Sequence, residues 1–433
     1  MKLQNRYHPE EQSQLEKTVK RSFRLGLLAF VLFIVGNVHA GPWVTAYVGG
    51  WWLGINDNGQ MPISRIDFRG MTVCDHMALI PTVRSPFIDT ALTDNWVTNG
   101  MSSQNSLKLT RAAHLARVKC IFTIGAGNTR EAFLSATNPA NLNAFVATLV
   151  DFMEHRHYDG VDIDWEPLRR TDVDQWEDLI VALRKMLPSP KYLITVTAGW
   201  GSPTDAYESI QGYVDQINIM TYDFDTDASG YNSWYSGSVY SAGVVAPFDN
   251  RTPVPSCDYM VGQFEKAGIA ASKLGIGCEP GGDLWIGING PDQSIASVTS
   301  WKPDISYNEI VRNYFQPQIY HWDDKAEAAY LGCKPHDGKG DWFLSFDDTK
   351  ALKAKLEYVR EAGIGGLIIY EIGMSYDKAS GRNPFLDVSR DYLRRDSSPK
   401  GKSIRKIHKQ IKRRVFNITH QYSEEQTFTR REE

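Results

Sequence analysis

Eight short apolar runs, separated by stretches with helical spacing, constrain this chain more than any other feature of its sequence. They are Trp43–Val48, Met71–Ile80, Val118–Ile124, Tyr158–Trp165, Tyr192–Thr197, Val214–Tyr222, Lys273–Gly277 and Gly365–Ile372. Between them, apolar residues return every three or four positions. Trp176, Ile180, Leu183 and Leu187 form one stripe over Asp174–Leu187, while Glu177, Asp178 and Arg184 face away. Leu352, Leu356 and Val359 repeat the pattern before the last run, with Asp347 and Asp348 near that helix's start, where negative charge is favoured. Near-continuous apolar strands separated by helices are parallel strands covered on the outside. Eight such units over about 350 residues predict an α/β fold, a closed (β/α)8 TIM barrel. An open doubly wound sheet is the alternative, but no GxGxxG follows a strand.

One spacing is out of step. Glu279 to Ala362 separates the seventh and eighth strands, and only Asp348–Ala362 reads as the expected helix. The rest is rich in Trp, Tyr and Gly, and a stretch of that size is seldom structureless. It predicts a small inserted α+β lobe, at about residues 280–345, on the barrel's C-terminal rim.

The ends differ from the body. Lys17, Lys20, Arg21 and Arg24 precede the uncharged run Leu25–Val38, and Val38-His39-Ala40 offers small residues at a cleavage site. At 1.5 Å per residue that run spans about 21 Å, short of the ~30 Å hydrocarbon core. Residues 1–40 therefore read as a signal peptide of an exported protein, with a membrane-anchoring segment as the alternative. Residues 396–433 read as a basic tail: Lys400 to Arg414 holds eight cations, with Ile404, Ile407, Ile411 and Val415 at helical spacing. Membrane contact is expected only through these two ends. The catalytic body spans residues 41–395. Residues 41–393 carry 29 basic and 43 acidic side chains, a net charge of −14, which argues against nucleic acid as a partner. Twelve Trp and twenty Tyr suit neutral, hydroxyl-bearing rings such as sugars. Cys74, Cys120, Cys257, Cys278 and Cys333 show no CxxC and no zinc spacing, and leave room for one disulfide without naming it.

The chemistry concentrates in Asp159-Gly160-Val161-Asp162-Ile163-Asp164-Trp165-Glu166. Residues two apart in a strand share a face, so Asp162, Asp164 and Glu166 point into the barrel and Val161, Ile163 and Trp165 toward the helices. The acids climb toward the C-terminal mouth in steps of about 6.6 Å, and Pro167 ends the strand, leaving Glu166 highest. Crowded carboxylates raise one another's pKa. Asp162 and Asp164 are expected to share a proton, with Glu166 held protonated as a general acid. A divalent metal is the chemical rival, but no His or Asn stands near to complete a shell, and no metal or cofactor is expected.

Asp159-x-x-Asp162-x-Asp164-x-Glu166 on a fourth barrel strand resembles the DxxDxDxE signature of glycoside hydrolase family 18, the chitinases and their relatives. The likeness extends over roughly residues 43–393. Met220-Thr221-Tyr222-Asp223 looks like the family's Met-x-Tyr-Asp on strand six, Tyr47 like its first-strand tyrosine, and the lobe like the insertion of one chitinase subfamily. The resemblance implies hydrolysis of β-1,4-linked N-acetylglucosamine polymers with retention, assisted by the substrate's own acetamide. Glu166 would protonate the glycosidic oxygen, Asp164 would orient the acetamide, Asp162 would be the proton partner of Asp164, and Tyr222 would donate to the acetamide oxygen. Tyr47, Met220, Asp223, Tyr370 and Trp51 would contact the sugar, and Asp159 would be structural. The partner is chitin or a chito-oligosaccharide, met by an exported monomer. An endo-β-N-acetylglucosaminidase on other acetamido-glycans is the nearest alternative, and a non-catalytic lectin the more distant one; the presence of Glu166 favours an enzyme.

Three positions depart from the pattern. Tyr370 stands where the family offers a Trp under the sugar, and Cys278-Glu279-Pro280-Gly281 replaces a Tyr-Gly-Arg after strand seven. Thr123-Ile124-Gly125-Ala126-Gly127 replaces Ser-x-Gly-Gly. Trp52, Trp200, Trp234 and Trp285 are further candidates for the cleft wall, each equally suited to core packing.

Overall fold

A computed structural model of the chain describes residues 41–89, 100–224, 232–333 and 341–396. The expected leader and nearly all of the basic tail lie outside the described residues. Among these, no helix is long and apolar enough to cross a membrane.

All eight expected strands form: β1 (Trp43–Gly49), β2 (Val73–Leu79), β3 (Lys119–Ala126), β4 (Gly160–Trp165), β5 (Leu193–Ala198), β6 (Gln216–Ile219), β7 (Leu274–Cys278) and, after the insertion, β13 (Gly366–Ile369). They close into one parallel barrel in the order β1-β13-β7-β6-β5-β4-β3-β2. The closing seam pairs Trp43 with Gly366 through to Ala46 with Ile369. Outward residues such as Val44, Phe122, Val161, Ile163, Val196 and Ile217 join a continuous core with Leu149, Leu179, Leu183, Leu352 and Leu356 from the helices. Each such side chain fully removed from water contributes roughly 1.5–3 kcal/mol. Trp165 stacks on Phe133 with ring centres 4.5 Å apart, which fixes the outward parity of β4 and hence the inward parity of its acids.

Two elements differ from the sequence reading. No full helix follows β1: residues 50–72 pass through a four-residue turn (Gly50–Leu53) and three 3-10 turns, because Gly54, Gly59 and Pro62 punctuate that stretch. Strand six is also shorter than its apolar run. The ladder with β7 stops at Ile219 opposite Ile276, and Thr221 and Tyr222 leave it.

The insertion is a five-stranded antiparallel sheet in the order β10-β11-β12-β8-β9. Its strands are β8 (Gly281–Ile286), β9 (Ser300–Ser306), β10 (Tyr320–Asp323), β11 (Ala328–Cys333) and β12 (Trp342–Phe346), with a helix over Tyr307–Asn313. One face packs Leu284, Ile305, Ile310, Leu331 and Leu344 together. The other packs Trp285, Ile288 and Phe343 against Trp234, Tyr235 and Val254 from the long β6 connection. Trp234 and Trp285 are therefore core residues of the lobe and not cleft platforms, since both are buried. Cys74, Cys120, Cys257 and Cys278 are buried free thiols.

Candidate active site

The interior of the barrel is polar, in contrast to its outer face. Thr123, Asp162 and Thr195 lie side by side on β3, β4 and β5. Asp162 accepts from the Tyr47 hydroxyl at 3.0 Å, from Thr123 Oγ1 at 3.5 Å and from the Thr195 hydroxyl. Below it, Thr45 Oγ1 donates to Gln216 Oε1 at 2.9 Å. Beside it, Asp75 accepts from Thr123 Oγ1 at 2.9 Å. One step up β4, Asp164 accepts from Thr197 Oγ1 at 2.7 Å and shares a hydrogen bond with Glu166 at the mouth. Asp164 is thus hydrogen-bonded to the carboxyl above it on the strand.

Burial is the largest influence on all three acids. It raises Asp162 to about 7, partly opposed by the Thr195 hydrogen bond. It raises Asp164 well above the ordinary carboxyl range, helped by the charge of Glu166. It raises Glu166 too; the Asp164 hydrogen bond works against this and the Asp223 charge works with it. These shifts keep protons in the ladder at pH values where exposed carboxyls have lost them.

Aromatic rings form the floor. Tyr370 lies face to face with Tyr222, centres 5.6 Å apart and 11° from parallel, and meets the edge of Tyr47 at 5.8 Å. Met77 and Ile368 complete this cluster, with Trp51 and Met220 packed against it. Burial raises the Tyr222 hydroxyl well above its usual pKa, so it stays a donor. Its place depends on Gly277, because a Cβ there would lie 2.5 Å from the Tyr222 ring. The structure thus brings Tyr47, Trp51, Asp162, Asp164, Glu166, Met220, Tyr222 and Tyr370 to one mouth. Asp159 stays outside it, accepting from Cys120 N at 2.7 Å and pairing with His114. Trp52 is also committed elsewhere, its indole N–H donating to Glu371.

Asp223 projects from the end of the β6 segment toward the lobe and meets acids that the sequence reading did not single out. Asp223, Glu279 and Asp304 each bring a carboxylate oxygen within 4.8 Å of the others. Asp223 and Glu279 share a hydrogen bond; Asp223 is an exposed residue, and desolvation together with the Asp304 and Asp347 charges shifts its carboxyl upward. Asp283 lies close by, raised to about 7 by burial, and accepts from Trp301 Nε1 at 3.0 Å. Glu371, next to Tyr370, is raised by burial to about 7 as well. Asp75 could have been found by parity, since it pairs in register with Tyr47 and breaks an apolar strand. The lobe acids had no such signal.

On the other side of Glu166 a cleft of about 680 Å³ opens between the β4 and β5 loops. Glu166, Thr197, Arg169, Trp200 and Asp205 are among its walls, with Trp200 45% exposed. A carboxyl pair between an aromatic cluster and an open cleft can protonate a group bound beside it.

Chitinase A1 of Niallia circulans is 28% identical to this chain over 337 residues, covering 68% of this chain and 46% of that protein. The chain likewise spans 52% of a probable endochitinase of Orgyia pseudotsugata multicapsid polyhedrosis virus, with 28% identity over 292 residues and 60% of this chain covered. A solved structure of the Ostrinia furnacalis Group IV chitinase in complex with allosamidin superposes with a TM-score of 0.65 at 19% identity, over 82% of this chain and all of that one. The model of glycosyl hydrolases family 18 matches residues 66–375, a span that includes the acid ladder, the Tyr222 segment and the lobe, and the chain belongs to that family.

Proposed function

We propose that this protein is an exported, monomeric chitinase-type hydrolase that cleaves β-1,4 linkages between N-acetylglucosamine residues with retention of configuration. The observation that carries the reading is the Asp164–Glu166 pair at the mouth, facing the Tyr222–Tyr370 stack. A sugar seated over Tyr370 places its glycosidic oxygen toward Glu166, which donates the proton. The leaving sugar occupies the cleft beside Trp200.

An ordinary retaining hydrolase needs a second carboxylate about 5–5.5 Å away, free to attack. Asp164 is not free in this way: it is hydrogen-bonded to Glu166 and to Thr197. As the resemblance to the family implies, the attacking atom is the substrate's 2-acetamido oxygen. Asp164 orients that group and balances the positive charge of the oxazolinium ion, and Tyr222 donates to the acetamide oxygen. Asp162 holds the Tyr47 hydroxyl from below, while Met220, Asp223 and Trp51 contact the sugar. Water opens the oxazolinium after Glu166, now ionised, takes its proton.

The stereochemistry tests this directly. Proton NMR during early hydrolysis of N-acetylglucosamine hexamer should show the new reducing end as the β anomer, before mutarotation. An α anomer appearing first would rule out the acetamide route.

A further inference from the structure

We infer that Lys355, which touches no reacting group, is a positioning residue that sets Tyr222 through the backbone carbonyls of Thr221 and Gly277. This rests on the functional reading above, in which Tyr222 contacts the acetamide.

The ladder that should hold Tyr222 ends before reaching it. β6 and β7 stay paired only to Ile219 and Ile276, and Met220 N makes the last bond back to β5, to Ala198 O at 2.9 Å. Beyond that point the backbone turns, and Asp223 sits at φ 56°. Lys355 takes over where the ladder stops. It lies in the helix Thr349–Ala362 and is completely buried. An ammonium has three N–H donors, and here each finds an acceptor: Asp347 Oδ2, Gly277 O at 2.9 Å and Thr221 O at 3.3 Å. Two of the three belong to the segments that lead into Tyr222 and Glu279.

The rest of the surroundings is built around that ammonium. Thr221 Oγ1 donates to Gly277 O at 3.0 Å and accepts from Gly277 N at 2.8 Å, tying the same two segments together. Asp347 Oδ2 also accepts from Glu279 N at 3.3 Å. Gly237 closes the site, since a Cβ there would lie 2.6 Å from Lys355 Nζ and 3.0 Å from Asp347 Oδ2. A buried ion pair contributes little to stability compared with apolar residues of similar volume, and removing one partner strands the other charge. What this pair does provide is fixed geometry: it clamps the end of β7 and the segment after β6 to the helix that follows the lobe.

A double-mutant cycle tests the inference on the full chain, with Asp347→Leu/Lys355→Met as one change and Tyr222→Phe as the other. Turnover and KM are measured on N-acetylglucosamine hexamer, with circular dichroism confirming the fold. The paired replacement should lower kcat by about tenfold or more in the wild-type background, and by less than about threefold once Tyr222→Phe is present, because coupled residues are not additive. KM should move by less than about threefold. Equal losses in both backgrounds, or an unchanged kcat, would overturn the inference. Should the paired variant not fold, Gly237→Ala, which crowds the ammonium without removing its charge, goes through the same cycle with the same criteria. A wild type that turns over no acetamido-glycan would overturn the functional reading instead. The crystal structure of the folded variant then decides the positioning claim: it survives if Tyr222 has left its stack on Tyr370, and fails if the rings keep their 5.6 Å separation.

Discussion

In the proposed mechanism Glu166 holds a proton near neutral pH and releases it to a leaving sugar, and three influences act on that proton. Burial and the Asp223 charge push its pKa up, while the Asp164 hydrogen bond holds it down. Because the working form is protonated, activity is present below the Glu166 pKa and lost as pH rises through it. Asp223→Asn removes an upward influence, so the alkaline limb of kcat/KM should move to lower pH, by up to about one unit. A limb that stays in place or moves upward would contradict this assignment of the Asp223 charge. The inward parity of Asp162, Asp164 and Glu166 was legible because alternation on a buried strand is a strict geometric rule. Their pairing was not, because it depends on hydroxyls from β1, β3 and β5 that come together only when the barrel closes. Glu279, Asp283 and Asp304 stayed unread for a similar reason: their meeting point is the foot of the lobe, far from any local periodicity.

The helix Thr349–Ala362 matters beyond covering the barrel, since it carries Lys355 to the mouth. Its start is fixed by Asp348, whose side chain accepts from Lys350 N and Ala351 N, both at 2.8 Å, and from the Tyr320 hydroxyl at 2.9 Å. Asp348→Ala should cost about 0.5–2 kcal/mol of unfolding free energy in urea titrations, the range for a lost N-cap. A loss below about 0.3 kcal/mol would mean that the cap is not holding the helix. This helix was readable from its apolar stripe and acidic start. The lobe strands were not, because β9 is exposed over five of its seven residues and shows no alternation. The long β6 connection was equally opaque: Trp234 suited the cleft wall and core packing alike until the lobe sheet supplied its partners.

At the scale of the molecule, an acidic body surrounds the site proposed to take an uncharged polymer. Residues 41–393 carry a net −14, yet an acetamido-glycan has no charge to be steered or repelled. Raising ionic strength from about 0.05 to 0.5 M shortens the Debye length from roughly 14 to 4 Å. It should therefore change kcat/KM on N-acetylglucosamine hexamer by less than about twofold. A steep salt dependence would point to a charged substrate. The barrel order followed from eight apolar runs, whereas the division of labour between barrel and lobe emerged only from the contacts between them. The most direct test of the proposed chemistry is mass-spectrometric product analysis of the hexamer with the wild type and Glu166→Gln side by side. Shorter N-acetylglucosamine oligomers are expected from the wild type, with turnover lower by at least about a hundredfold in the folded variant, as for loss of a general acid. Equal cleavage by both proteins, or none by a folded wild type, would contradict the assignment.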